Sequence, residues 1–281
     1  MLNYILYKIG EFLACILPWR VAYRLGAFLA NLQFLISKKD RQAVINNLRV
    51  ILPNEGDKEL YEKAGRVFIN FGLYLIEFFR FSKIDRDYIQ KHSFIKGREN
   101  LDNALNKGKG VVVLTAHMGN WEVGGMALSL LGYPLIVIAL DHNHPKVNDF
   151  FKNRRQSKGI EVVSLGISVK QCYKGLKKNK IVALLGDREF GSSGYSLDFL
   201  GRKKIIPRGA AVLAMRTGAA LIHVFVTRQG LDNLQLECLP EIEITKDISE
   251  IDIIKQYVKI IEDQICKNPT QWLMFREFWK E

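Results

Sequence analysis

The 281-residue chain is poor in the features that mark several common protein classes. Its four cysteines, at positions 15, 172, 238 and 266, form no CxxC pair and no metal-ligand spacing. That argues against a disulfide framework or a zinc module and leaves reduced thiols as the expectation. Proline is scarce, with 7 residues against 22 glycines, and 48% of the chain is hydrophobic. A collagenous, disordered or low-complexity chain is thereby excluded. Gly-x-Gly-x-x-Gly, Walker and Gly-x-Ser-x-Gly patterns are missing, so nothing supports a dinucleotide, ATP or a covalent serine acyl-enzyme. Near the N-terminus the longest uncharged run is Leu25–Ser37. As a helix it spans about 20 Å, short of the roughly 30 Å hydrocarbon core of a bilayer.

Positive charge, by contrast, is plentiful. The chain carries 41 Lys and Arg against 29 Asp and Glu, a net charge of +12. An anionic partner is expected: nucleic acid, a phosphorylated substrate or a membrane surface. Mean hydropathy is near zero, high for so basic a chain, and this combination favours the membrane surface. The first 36 residues are apolar with interruptions at Lys8, Glu11, Arg20 and Arg24, and Lys38, Lys39 and Arg41 follow. They lack a small-residue cleavage site in register, so they read as a tilted or interfacial anchor with those cations on the cytoplasmic side. A buried pair of core helices is the other reading.

Residues 39–52 and 57–81 are predicted helical, broken by Pro53, Asn54 and Gly56. From about residue 97 the pattern alternates. Strands are expected at Val111–Thr115, Leu135–Leu140, Glu161–Ser164, Ile181–Leu185, Ala220–Thr227, Leu234–Cys238 and Glu241–Ile244. Helices are expected near 98–107, 120–131, 145–158, 168–179, 207–217 and 248–267, with an aromatic tail at 269–281. This predicts an α/β fold, a central mixed β-sheet flanked by helices, with a helical membrane-associating extension at residues 1–40 and the α/β domain at 41–281.

The most informative stretch runs from Val111 through His117-Met118-Gly119-Asn120-Trp121-Glu122. A strand leads into a polar turn and then a helix, with Asn120 placed to cap it. Reactive groups in α/β sheets lie beyond the carboxyl ends of strands, where His117 falls. Glu122, in the first helical turn, is close enough to orient the imidazole, which makes His117 a candidate general base. A capped turn whose His and Glu only hydrogen-bond fits the same spacing.

His117-x4-Glu122 resembles the H-x4-[D/E] signature of the glycerolipid acyltransferase superfamily. Its Gly-Asn-Trp-Glu form is similar to the lipid A biosynthesis lauroyl/myristoyl acyltransferase family. Four further stretches resemble that family in order: Arg41–Pro53, Leu185–Glu189, Phe199–Arg228 and Pro269–Arg276 with its Pro-x-Gln-Trp tail. The resemblance implies acyl transfer from a thioester, on acyl-carrier protein or acyl-CoA, to a hydroxyl of a membrane glycolipid, without another cofactor. His117 would deprotonate that hydroxyl and Glu122 would orient and polarise His117. Asn120, Asp187, Arg188, Glu189 and Arg208 would bind substrate, as would an arginine before Gly159: Arg155, better spaced than Arg154. The expected location is the cytoplasmic face of the bacterial inner membrane.

Two departures from the family pattern stand out. Ala220-Leu-Ile-His223 replaces a proline-containing strand, and His223 reads as a strand histidine paired to backbone rather than a second base. The tail after Trp272 reads Leu-Met-Phe-Arg-Glu, where a more basic-aromatic ending is usual. Arg202, Lys203, Lys204 and Arg208, shaped by Gly201, Pro207 and Gly209, read as a phosphate-facing loop, whereas Lys174, Lys177, Lys178 and Lys180 read as a solvated face. His142 and His144 form a His-x-His pair with no third ligand. The alternatives are acylation of another glycolipid such as a phosphatidylinositol mannoside, a catalytically inactive lipid-binding relative, and a nucleic-acid-binding protein. The apolar N-terminus and Asp187-Arg188-Glu189 oppose the last.

Overall fold

A computed structural model describes residues 1–165, 168–189 and 194–279. Four helices come first: α1 (Leu2–Ile16), α2 (Trp19–Ile36), α3 (Lys38–Ile51) and α4 (Asp57–Phe79). Pro18 stands at the N-cap of α2, where a missing N–H costs nothing. Leu60, Ala64, Val67 and Phe68 recur at helical spacing and are buried along α4. Ala22, Gly26 and Ala30 let α2 cross α4 closely, because a Cβ on Gly72 would stand 2.7 Å from the Gly26 carbonyl oxygen. The boundary expected at residue 40 falls inside α3. Among the described residues no helix is long and apolar enough to cross a membrane.

The remainder is the predicted α/β unit. After α5 (Arg86–His92), β1 (Ser93–Lys96) and α6 (Arg98–Asn106) come β2 (Val111–Thr115), α7 (Trp121–Leu130) and β3 (Leu135–Ala139). Then follow α8 (Pro145–Gln156), β4 (Glu161–Ser164), α9 (Ser168–Lys177) and β5 (Ile181–Leu185). A hairpin of β6 (Gly194–Phe199) and β7 (Arg202–Pro207) precedes α10 (Gly209–Thr217), β8 (Ala220–Arg228), β9 (Leu234–Cys238) and α11 (Glu250–Lys267). Seven strands form one mixed sheet in the order β1-β9-β8-β2-β5-β3-β4, antiparallel only between β8 and β9.

Burial on both faces follows from the near-continuous apolar strands. Val112, Leu114 and Val182 join one core layer with α9, α10 and α11, while Val111, Val113 and Ile181 join the other with α7 and the end of α4. Two expectations change. Glu241–Ile244 is not a strand and contributes only a bridge from Ile242 to Leu221. Residues 202–207, read as a loop, form a strand because Ser196, Leu197 and Phe199 offer it a pairing partner.

Candidate active site

Strand register brings His117 and a carboxylate together. Parallel β2 and β5 pair Thr115 with Leu185, so the residues two beyond each, His117 and Asp187, emerge side by side at the carboxyl edge. His117 Nδ1 lies 2.7 Å from Asp187 Oδ1, and the His117 backbone N–H donates to Oδ2 at 3.1 Å. The Trp272 indole N–H also donates to Oδ2, at 2.9 Å. Burial alone would push the Asp187 carboxyl up, but His117, Arg188 and Trp272 outweigh it and hold it below the usual carboxylate range. An ionised carboxylate at Nδ1 selects the Nδ1–H tautomer and leaves Nε2 free to accept a proton.

The turn carrying His117 is clamped by the C-terminal segment. Leu273 donates its N–H to the His117 carbonyl at 2.8 Å, and Gly119 donates to the Gln271 carbonyl at 2.9 Å. Gly119 sits at φ +54°, where a Cβ would stand 2.1 Å from the Val226 carbonyl oxygen. Only glycine fits there. Asn120 then caps α7 by accepting from the Val123 N–H at 3.1 Å. Trp121 packs edge-on against His117, with ring centroids 5.0 Å apart, and stacks on Tyr74 of α4.

His117 opens into a cavity of about 970 Å³. One side runs between the sheet and α7, past Val113, Ala183, Gly125, Leu128 and Leu135 to Ile160. The cavity also has a polar lining, from Glu122, His142, Arg155, Arg188, Glu189 and Arg276. Tyr7 of α1 lines it too and stacks on Phe150. An apolar chamber with one base and three guanidiniums in its lining suits a hydrocarbon chain with a charged or polar head.

A sequence profile of the bacterial lipid A biosynthesis acyltransferases matches residues 1–281. The chain belongs to that family. A phosphatidylinositol mannoside acyltransferase of Mycobacterium tuberculosis H37Rv is 28% identical over 219 residues, 75% of this chain and 68% of that one. Two Escherichia coli K12 proteins, the lipid A biosynthesis palmitoleoyltransferase and lauroyltransferase, are each 23% identical, over 267 and 269 residues. Each comparison covers 94% of this chain, with 86% and 87% of the other. A crystal structure of a 1-acyl-sn-glycerophosphate acyltransferase from Thermotoga maritima aligns with TM-score 0.40 and 13% identity, over 88% of this chain and 95% of that one.

In this acyltransferase Glu122 does not hold the imidazole. Its carboxylate is taken bidentately by Arg155, with Nε to Oε2 at 2.9 Å and a terminal nitrogen to Oε1 at 2.6 Å. Glu122 offsets the cost of burying the Arg155 guanidinium and fixes it in the lining of the cavity that His117 also lines. Of the two arginines, Arg155 lines the cavity, whereas Arg154 turns to Glu11 on α1. Arg188 donates to the Leu273 carbonyl at 3.0 Å, and Glu189 lines the cavity. Asn120 points behind the turn, toward Glu77 and away from the cavity lining.

The basic clusters lie elsewhere. Arg208 pairs with Glu250 at 2.6 Å and does not line the cavity, although Pro207 and Gly209 do. Arg202 and Lys204 sit over Trp279 and Phe278, and Lys203 pairs with Asp198, so these cations serve the hairpin and tail. Lys174 to Lys180 precede β5, at the opposite end of the strand from Asp187. His223 is fully buried on β8 outside the cavity, and burial pushes it down to about 4, so its ring is neutral at pH 7. Sequence reasoning missed the Trp272 and Gln271 clamps, and it missed Glu77 and Arg228. The Pro-x-Gln-Trp tail was the trace of the first two and the Phe199–Arg228 stretch that of Arg228, and neither gives a partner.

Proposed function

We propose that this acyltransferase is a membrane-associated O-acyltransferase that moves a long acyl chain from a thioester, on acyl-carrier protein or acyl-CoA, to a hydroxyl of a glycolipid. A lipid A precursor is the preferred acceptor, and the cytoplasmic face of the bacterial inner membrane the place. The observation that carries the reading is the His117–Asp187 pair beside the apolar cavity. The thioester carbonyl would sit at that pair with its chain between the sheet and α7. His117 Nε2 takes the proton of the acceptor hydroxyl as its oxygen attacks the carbonyl carbon. Arg155, Arg188 and the N-terminal turn of α7 favour the oxyanion that forms. The C–S bond then breaks, the thiolate receives the proton from His117, and an ester and a free thiol leave.

The apolar faces of α1 and α2 support membrane attachment. Ile5, Leu6, Ile9, Phe12 and Ile16, then Phe28, Leu29, Leu32, Leu35 and Ile36, are exposed. Such faces lie in an interface and do not span it. A phosphatidylinositol mannoside is the second acceptor reading, favoured by the 28% identity to the mycobacterial enzyme.

The test is to incubate full-length protein with labelled acyl-carrier protein or acyl-CoA and each acceptor, beside His117→Ala. Transfer by wild type and loss of at least 10²-fold in the variant are expected. Equal turnover in both would remove His117 as base. A folded wild type that transfers to neither acceptor with either donor would leave a lipid-binding relative.

A further inference from the structure

Glu77 is a carboxylate in the wrong place for a solvent-facing residue. It lies on α4, only 2% exposed, outside the cavity, and three other elements converge on it. Tyr23 of α2 donates its hydroxyl to Oε1. Asn120, the cap of α7, donates to Oε2 at 2.5 Å, and Arg228 at the end of β8 donates to the same oxygen at 2.7 Å. Arg228 is itself buried, with a side chain 6% exposed. Its backbone N–H donates to the Gln271 side-chain oxygen at 2.7 Å, and the Gln271 amide donates back to the Arg228 carbonyl at 3.1 Å. The Gln271 carbonyl in turn accepts from Gly119.

Burying such a pair brings little stability over an apolar replacement, whereas removing one partner leaves an uncompensated charge. What the cluster does secure is geometry. Two branches end on the turn between β2 and α7, directly at Asn120 and at Gly119 through Arg228 and Gln271, while the third reaches Tyr23 of α2.

We propose that Glu77 is a positioning residue that holds the Gly119–Asn120 turn, and with it His117, in line with Asp187 and the cavity. It reaches the reaction only through that turn. Because Tyr23 is one of its donors, it also joins the membrane-facing helix pair to the catalytic edge. The role rests on the acyl-transfer reading for its kinetic consequence but not for its structural one.

Two measurements test it. In Glu77→Gln the amide oxygen can still accept from Asn120 and Arg228 with its NH2 turned to the Tyr23 hydroxyl, but the buried Arg228 guanidinium loses its counter-charge. Amide hydrogen exchange at 117–123 should then rise by at least tenfold while exchange in the middle of α4 stays as in wild type. This readout needs no substrate, so a failed function assignment leaves it intact. In the acyl-transfer assay kcat should fall about 10- to 100-fold with KM for the thioester within threefold. The acid limb of the pH–rate profile should move, because the His117–Asp187 bond is loosened. Asn120→Asp alone sets two carboxylates face to face and should be worse, whereas Glu77→Gln with Asn120→Asp restores a donor–acceptor pair and should recover kcat to within tenfold of wild type. Unchanged exchange at 117–123 in a folded Glu77→Gln protein would overturn the proposal. So would a loss of kcat matched by the unfolded fraction with an unmoved pH profile, or a double variant no better than its worse parent.

Discussion

At the carboxyl edge of the sheet the protein buries charge; on α1 and α2 it exposes hydrocarbon. Asp187, Glu122, Glu77, Arg155 and Arg228 are all withdrawn from water, each with a partner of opposite or donor character. Phe12, Phe28, Leu35 and Ile36, in contrast, are more than 60% exposed with nothing over them among the described residues. Each region reverses the usual distribution, and each reversal costs stability by itself. The edge recovers the cost through geometry, since its charges fix one another and aim His117. Under the proposed membrane attachment, the helix pair would recover it once a hydrocarbon phase covers the exposed side chains. On that proposal one region is complete in the protein alone, and the other would be complete only against a lipid surface.

The sharpest way to break the contrast is at Asp187. Asp187→Asn keeps the shape but lets the amide present N–H to the imidazole, favouring the wrong tautomer. Turnover should fall by about 10³–10⁴-fold with the fold retained, as measured by transfer kinetics beside circular dichroism. A loss under tenfold would mean that Asp187 does not set the His117 tautomer. Next comes the helix pair. Replacing Phe12, Phe28 and Leu35 together by Asp should weaken binding to anionic vesicles by about 100-fold, at roughly 1 kcal/mol per side chain. Turnover on a water-soluble acceptor should persist, because none of the three touches the catalytic turn. Loss of both properties together would merge the two regions.

The chamber itself offers a smaller, directional effect. A Cβ at Gly125 would stand 3.5 Å from Leu135 and 3.9 Å from Ile160. Gly125→Leu would therefore extend into the space between α7 and the sheet. Preference should shift by about tenfold toward shorter acyl chains in a competition of donors. Unaltered preference would move the acyl chain to the other face of the sheet, along Ile138, Leu184 and Tyr173.

The last effect concerns stability alone. His223 is held neutral in the fold, down to about 4, whereas its ordinary value is 6.5. Between those values the unfolded chain binds a proton that the native one refuses, so stability falls as pH drops through that window, by about 3 kcal/mol in all. His223→Leu should flatten that part of the pH–stability curve in denaturant titrations. An identical slope in the variant would place the proton elsewhere.

The sequence by itself determined much of this. Alternation of short β-branched runs with helical stretches yielded the sheet, and most expected strands match within a residue because strands buried on both faces have no freedom to be polar. His117 was a candidate because it follows a strand and precedes a capped helix, and Arg155 because of its distance from Gly159. The partner of His117 was not legible. Glu122 is five residues away and Asp187 is seventy, yet the parallel register of β2 and β5 brings the distant one alongside and leaves the near one to Arg155. The basic hairpin was misread for the same reason, since charge near a motif says nothing of which way a strand carries it. Glu77, Gln271 and Trp272 acquire meaning only from partners on other elements. Local pattern fixes which residues can stand at a strand end; only tertiary packing decides which of them meet, because hydrogen bonds act over 3 Å in space whatever their separation along the chain.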